Sequence, residues 1–574
     1  MIGESTTQPD YQAVLGRMRR AHLSGDEAAT EQQARKLLDL HPDHTEALGL
    51  LYGLLRRTGR HEAADATLRH LVAIDPNDIR AATQVAMLLH AAGDLEQAER
   101  QARHLIRLAP DFAQSHRLLG TVLTATRRPA AGAYHLRQAL RLGGPNAADL
   151  EQLGWSLLQL GQLPQARAAY RAAVALAPEK LSALHGQAWV EVADRRPEAA
   201  LPIITRARAL APPDDVDLRC LHAGALERLH QLDAALAVLH DAEPTPLSLA
   251  QKGRLLDRRG RHDEAFAAFT AAKRLARDEK GPYRQTEAEA QAAQLRAFFT
   301  SARVKTLPPA GRRPDLPQPI FILGFPRSGT TLLEQTLSIS PRISAGDELT
   351  CLADVISRLP RLLETDLPYP PALAELWMGD KLTSLDLVRD DYLRRCRAAG
   401  AFRRGAVWFT DKMPLNEMHL GLIALLFPAS PLIHLVRHPL DVVLSVFSQH
   451  MTHGYNCDTA PETIAHHYSL VADLVDHYRS TINLRYLPIR YEDIIQHQED
   501  SVRRIMDFVG EPFEPAMLQF EKNQRMARSA SSAAVTEALH ARSLYRYRNY
   551  ISHLQPVIPL LQPVITRLGY QSPD

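Results

Sequence analysis

Two hydrophobic patterns divide the chain. Through the first half, apolar residues recur at helical spacing in short stretches, two to a period, broken by turns such as Thr58-Gly59-Arg60, Ala92-Gly93-Asp94 and Leu160-Gly161-Gln162. That pattern predicts pairs of amphipathic helices. Prolines mark the period at Pro42, Pro76, Pro110, Pro145, Pro178, Pro212 and Pro246, with intervals of 34, 34, 35, 33, 34 and 34 residues. Small residues keep the same register at Ala64, Ala98, Gly132, Ala166, Ala200 and Ala235, and Ala265 ends the series slightly early. Where two helices cross closely a large side chain would hold the backbones apart, and proline stops each second helix before the next begins. One pair cannot bury its apolar face alone, so the pairs are expected to stack into a superhelix with a concave groove. Further on the pattern changes to continuous apolar runs at 319–324 and 430–436, which predict buried strands of a parallel sheet.

The expected architecture is an N-terminal all-α superhelical solenoid followed by a C-terminal α/β domain with a parallel sheet and a phosphate-binding loop. Its boundaries are read as an N-terminal segment 1–25, repeats 26–299, a linker 300–318 and the C-terminal domain 319–574. The linker is read from Pro308, Pro309, Pro314 and Pro317 among polar residues. The unit carrying Leu153, Gly154, Ala166, Tyr170, Ala173 and Pro178 resembles the tetratricopeptide repeat, and the resemblance extends over roughly residues 26–280. The groove is expected to hold an acceptor peptide or protein, or else the helices serve as a scaffold or an oligomerisation surface.

Composition narrows the class. With 45% hydrophobic and 23% charged residues the chain is of globular type. A net charge of +2, from 67 basic and 65 acidic residues, provides no global field for nucleic acid or an anionic membrane, so an anion site must be local. Four widely spaced cysteines suit a reducing compartment, and no stretch of ~20 apolar residues is present. The N-terminus lacks a basic start followed by an apolar run, so a cytoplasmic protein without a membrane span is expected.

After the first apolar run come Phe325-Pro326-Arg327-Ser328-Gly329-Thr330-Thr331 and a helical stretch. Strand, tight loop and helix aim backbone N–H groups at an anion. The spacing from Gly324 to Gly329 matches the start of a Walker loop, but Thr330 stands where the γ-phosphate lysine belongs, which argues against a P-loop phosphotransferase. The second run is followed by Arg437, with Ser445 eight residues later, a pair able to converge on one phosphate.

These two motifs closely resemble the nucleotide-dependent sulfotransferases. The resemblance implies that Arg327, Ser328, Gly329, Thr330 and Thr331 hold the 5′-phosphosulfate of 3′-phosphoadenosine 5′-phosphosulfate and that Arg437 and Ser445 hold its 3′-phosphate, with adenosine 3′,5′-bisphosphate as the product. It further implies that Tyr491 lies near the adenine and that a late segment including Ser531 and Arg546 closes over the nucleotide. Lys412, after the apolar stretch 406–409, takes the place of a catalytic cation. Ser344-Ala345-Gly346-Asp347-Glu348-Leu349-Thr350 resembles the Gly-Glu-Glu-Thr segment of protein-tyrosine sulfotransferases, which assigns Glu348 as general base and Arg327 and Lys412 as its catalytic partners. No metal is implied, and His450, His453, His466 and His467 lack a companion ligand cluster.

The repeat-plus-catalytic arrangement resembles bacterial repeat-containing sulfotransferases. Its expected acceptor is a peptide or protein tyrosine, with a carbohydrate or small-molecule hydroxyl as the alternative. A repeat adaptor with an inactive sulfotransferase-like domain is the non-enzymatic rival.

Overall fold

The glycines of the expected turns sit where the chain reverses. Gly59, Gly93 and Gly161 have φ of +74°, +80° and +69°, a region that costs other residues a clash at Cβ, and each closes the first helix of a pair. The computed structural model describes residues 8–126, 128–377, 381, 383–449, 451, 454–523 and 539–571. It divides into two compact units, Met1–Arg195 and Arg196–Asp574.

The first unit is a stack of antiparallel helix pairs running from Gln8–Leu23 to Leu181–Ala193. Small residues have the expected task there. A Cβ on Gly154 would lie 2.8 Å from the ring of Tyr170, and one on Gly186 would overlap the same ring, so two glycines make room for one buried tyrosine. Pro42, Pro76, Pro110 and Pro178 each follow the residue that ends a helix, as the pattern required. The segment 1–25, set apart on sequence, carries the helix Gln8–Leu23, whose Val14 and Met18 share a core with Ala34, Leu37 and Leu51. That helix is packed as part of the stack.

The second unit begins with further helices, among them Pro246–Arg258, His262–Lys280 and Gln285–Phe298. Pro246 differs from the earlier markers because it starts a helix, a position where its missing N–H is no loss. These helices do not form a module separate from the sheet: Leu256, Phe269, Leu295 and Phe298 belong to the same buried cluster as Phe321 and Leu323. The proline-rich stretch 300–318 is likewise no free tether. Leu307 and Ala310 are buried in that cluster, and the Ala310 N–H donates to Leu425 O at 2.8 Å. Apolar residues scattered among the prolines made this packing invisible to a composition reading.

The sheet has five parallel strands, β1 Gln318–Leu323, β2 Ile343–Ser344, β3 Trp408–Asp411, β4 Leu432–Val436 and β5 Tyr486–Arg490, in the order β2-β3-β1-β4-β5. Both faces are covered. Phe321 and Leu323 enter the cluster shared with the preceding helices, while Ile320, Ile322, Ile433 and Leu435 pack under Leu332, Leu333, Ile505 and Met506. Because β1 has β3 on one side and β4 on the other, connections leave it in opposite directions, and a crevice opens at the carboxyl ends of these strands. Among the described residues, no helix is long and apolar enough to cross a membrane.

Burial holds His419, His438 and His467 neutral, each pushed down to about 4. The unfolded chain protonates them as pH falls below 6.5 while the fold does not, so their contribution is intact above 6.5 and is lost as pH falls to about 4. Asp411, pushed up to about 7 mainly by burial, and Asp441, also raised by burial, act in the opposite sense over part of that window, while His135, likewise pushed down to about 4, adds to the three imidazoles. The midpoint of urea unfolding is expected to be lower at pH 5 than at pH 7.5; equal midpoints would show that these imidazoles are not held neutral.

Candidate active site

The loop between β1 and the helix Thr330–Leu337 is shaped by close backbone approach. A Cβ on Gly324 would stand 2.7 Å from Leu435 O, and Gly329, with φ +100°, has the ring of Tyr491 where a Cβ would be. The Ser328 N–H donates to Phe325 O at 3.1 Å and tightens the turn, and Arg327 takes φ +74°. Thr330 then starts the helix at the carboxyl end of the central strand, so the first-turn N–H groups face the crevice.

Arginines gather around this loop. Arg327 Nε donates to Ser445 Oγ at 3.2 Å, joining the loop to the helix Pro439–Phe447, and Arg437 Nη1 donates to Arg327 O at 3.1 Å. The Arg437 guanidinium lies 4.9 Å above the centre of Tyr491, donates through Nη2 to Ser543 O, and keeps its buried Nε without an acceptor. Burial, together with the charges of Arg437, Arg254 and Arg546, pushes the Arg327 guanidinium down to about 10. Like charges held this closely, with an orphaned buried donor, are what a phosphate group would satisfy.

All but one of the expected nucleotide residues lie within the described residues. Ser328, Thr330 and Thr331 are buried in the loop and helix start. Ser445 and Arg437 meet at Arg327 instead of meeting each other directly. Tyr491 supports Gly329 and the Arg437 guanidinium. Arg546 pairs with Asp257 at 3.2 Å, a partner from the helix Pro246–Arg258 that motif reading gave no reason to expect. Ser531, His450 and His453 lie outside the described residues.

A second cluster follows β2 and β3. Lys412, on the residue after β3, is fully buried; its Nζ lies 3.1 Å from Glu348 Oε1 and 4.0 Å from Glu334 Oε2. Asp411 is no partner for it: that carboxyl turns to the other side, accepting from Tyr392 Oη at 2.6 Å and Asn416 Nδ2 at 3.0 Å. Glu334 was missed by motif reading. Its Oε1 accepts from Thr410 Oγ1 at 2.6 Å and from the Asp347 N–H at 3.0 Å, and the Lys412 N–H donates to Asp347 O at 3.1 Å. These bonds fix the segment that presents Glu348, whose side chain keeps 36% exposure while its Lys412 partner keeps 1%. The available signal was a lone carboxylate amid Leu332, Leu333 and Leu337 on an otherwise inward-facing helix.

Thus the groups come from carboxyl ends of adjacent strands: the loop after β1, Glu348 after β2, Lys412 after β3, Arg437 after β4 and Tyr491 after β5. A separate cavity of about 320 Å³ beside β4 and β5 touches this set only at Phe325 and Ser328. It is lined by His434, Tyr468, Tyr486 and Arg490 among others and contains neither Lys412 nor Glu348, so the converging side chains locate the site. His466 and His467 lie against Tyr283, with His466 Nε2 3.0 Å from Glu289.

Residues 319–515, which carry β2–β5 and all but the first residue of β1, match the model of the sulfotransferase family, and tetratricopeptide-repeat models match residues 21–88, 86–147 and 151–215. The chain joins tetratricopeptide repeats to a sulfotransferase-family domain. An uncharacterized protein of Aquifex aeolicus is 28% identical over 320 residues, 55% of this chain and 41% of that one. Protein-tyrosine sulfotransferase 1 of Danio rerio is 24% identical over 267 residues, 45% of this chain and 73% of its own. Protein-tyrosine sulfotransferase 2 of Gallus gallus is 23% identical over 262 residues, 44% of this chain and 69% of its own. The chain therefore spans less than half of the Aquifex relative. Glu348, Lys412, Arg327, Arg437 and Ser445 all fall inside the segment matched to the sulfotransferase-family domain.

Proposed function

We propose that the chain is a sulfotransferase that uses 3′-phosphoadenosine 5′-phosphosulfate and modifies a hydroxyl, with a peptide or protein tyrosine as the favoured acceptor. The observation that carries this reading is the linkage of Arg327 to Ser445 and Arg437 at the strand switch point, beside the Lys412–Glu348 pair. The buried Arg437 Nε and the glycine-walled turn fit a phosphorylated nucleotide. When bound, the donor supplies the sulfuryl group.

The residues then divide the work. Loop N–H groups and Arg327 hold the 5′-phosphate, and Arg437 with Ser445 holds the 3′-phosphate. Glu348, the more exposed member of the ion pair, receives the proton from the acceptor hydroxyl as its oxygen bonds to sulfur. Lys412 and Arg327 place positive charge where the departing phosphate oxygen gains negative charge.

A peptide acceptor is supported by the likeness of the 344–350 segment to that of protein-tyrosine sulfotransferases. It is also supported by Trp155 and Trp189, one repeat apart and 44% and 47% exposed on equivalent helices of the first unit. A cytoplasmic setting agrees with four buried free thiols. Incubation with radiolabelled phosphosulfate donor and host lysate, followed by digestion, tests the proposal: sulfotyrosine is expected. A labelled sugar would replace the acceptor, and label transfer only from ATP would sink the activity. In calorimetry, Arg437→Ala is expected to weaken adenosine 3′,5′-bisphosphate roughly 10- to 100-fold, the effect of losing a charge-assisted hydrogen bond to a buried anion. Unchanged affinity would place the 3′-phosphate elsewhere.

A further inference from the structure

The helix Pro246–Arg258 lies before the segment that matches the sulfotransferase family, yet it reaches the nucleotide side of that domain. Asp257 Oδ1 accepts from Tyr550 Oη at 2.5 Å and from Arg546 Nε at 3.3 Å. On the next helix, Phe266 stacks on His553 with ring centres 4.3 Å apart and lies 5.2 Å from Phe447, two residues beyond Ser445. Farther along it, Lys273 makes a buried ion pair of 2.7 Å with Asp458. These contacts fix the helix pair against the elements that carry Ser445 and Arg546.

Arg254 stands one turn before Asp257, on the same side of its helix. It is half-buried and makes no hydrogen bond or ion pair among the described residues. The acid that acts on it through space, Glu227, is already paired with Arg258 at 3.1 Å. Its charge is one of those felt by Arg327, alongside Arg437 and Arg546. A guanidinium that adds to like charge, and whose acting carboxylate already serves Arg258, raises the energy of the protein alone and lowers it when an anion arrives.

We propose that Arg254 is a nucleotide ligand supplied by the repeat array, donating to the 3′-phosphate beside Arg437 and Ser445, so that the last helix pairs complete the donor site. This rests on the donor reading above. It also gives the repeats a task apart from holding an acceptor: without them the cation set around the 3′-phosphate is incomplete.

The test is calorimetric titration of the full chain with adenosine 3′,5′-bisphosphate and with adenosine 5′-monophosphate, for the wild type, Arg254→Gln and Arg254→Lys. The wild type is expected to prefer the bisphosphate. Arg254→Gln is expected to lose about tenfold in affinity for the bisphosphate and little for the monophosphate, the size of one charge-assisted hydrogen bond. Arg254→Lys, which keeps the charge and loses the fork, should fall between them. The thermal midpoint of Arg254→Gln is expected to be unchanged or higher, since a repelling charge has gone; this separates a ligand from a packing residue. Equal weakening toward both nucleotides, or full discrimination retained in both variants, overturns the role of Arg254 and leaves the donor reading intact. A wild type that binds the two nucleotides alike overturns both.

Discussion

Glu348→Gln is expected to lower turnover roughly 10²- to 10⁴-fold, the usual contribution of a positioned general base, while leaving adenosine 3′,5′-bisphosphate binding largely unchanged. The amide keeps the shape of the side chain and an oxygen that can still accept from Lys412 Nζ, now at 3.1 Å from the carboxylate, so the surrounding segment has no reason to move. What it lacks is the ability to take a proton. The 36% exposure of Glu348 puts it within reach of an incoming hydroxyl, whereas Glu334 is sealed off at 0%. Single-turnover kinetics with the true acceptor is the decisive measurement, because slow product release cannot hide the chemical step there. A glutamine variant with an undiminished single-turnover rate would remove Glu348 from the chemistry.

Lys412→Met is expected to cost both activity and stability. The ammonium is buried between two carboxylates, 3.1 Å from Glu348 and 4.0 Å from Glu334, and taking away one partner of a buried ion pair destabilises by roughly 3–5 kcal/mol. Removal of a cation aimed at developing negative charge should lower turnover by roughly 10²- to 10³-fold. The two effects can be separated. Glu334→Gln retains an oxygen for the Thr410 hydroxyl and the Asp347 N–H but carries no charge, so adding it to Lys412→Met should recover much of the urea midpoint and none of the turnover. If the double variant regains turnover as well, Lys412 acts only as a structural counter-ion.

Much of the site was legible because it is local. A strand, a glycine-containing turn and a helix are neighbours in the chain, and so are β4, Arg437 and Ser445, so motif spacing places these donors without knowledge of the fold. Glu334 and Arg254 were not legible for the opposite reason. Each acquires its meaning from residues far along the chain: Glu334 from Thr410 and Lys412, Arg254 from a helix whose Asp257 meets Arg546 and Tyr550 almost 300 positions later. The stretch 300–318 shows the same limit, since proline content predicts a break in helix but not whether Leu307 and Ala310 find a core.

By itself, then, the sequence determined the 34-residue helix pairs, the change from helical to strand periodicity, and the strand, tight turn and helix at 319–337, because each rests on interactions between residues close in the chain. Tertiary structure decided where the second unit begins, what faces Lys412 and Arg546, and which helices share a core with the sheet. Burial and pairing are properties of the whole packed arrangement, and charges placed far apart in a sequence show their partners only when the chain has brought them together.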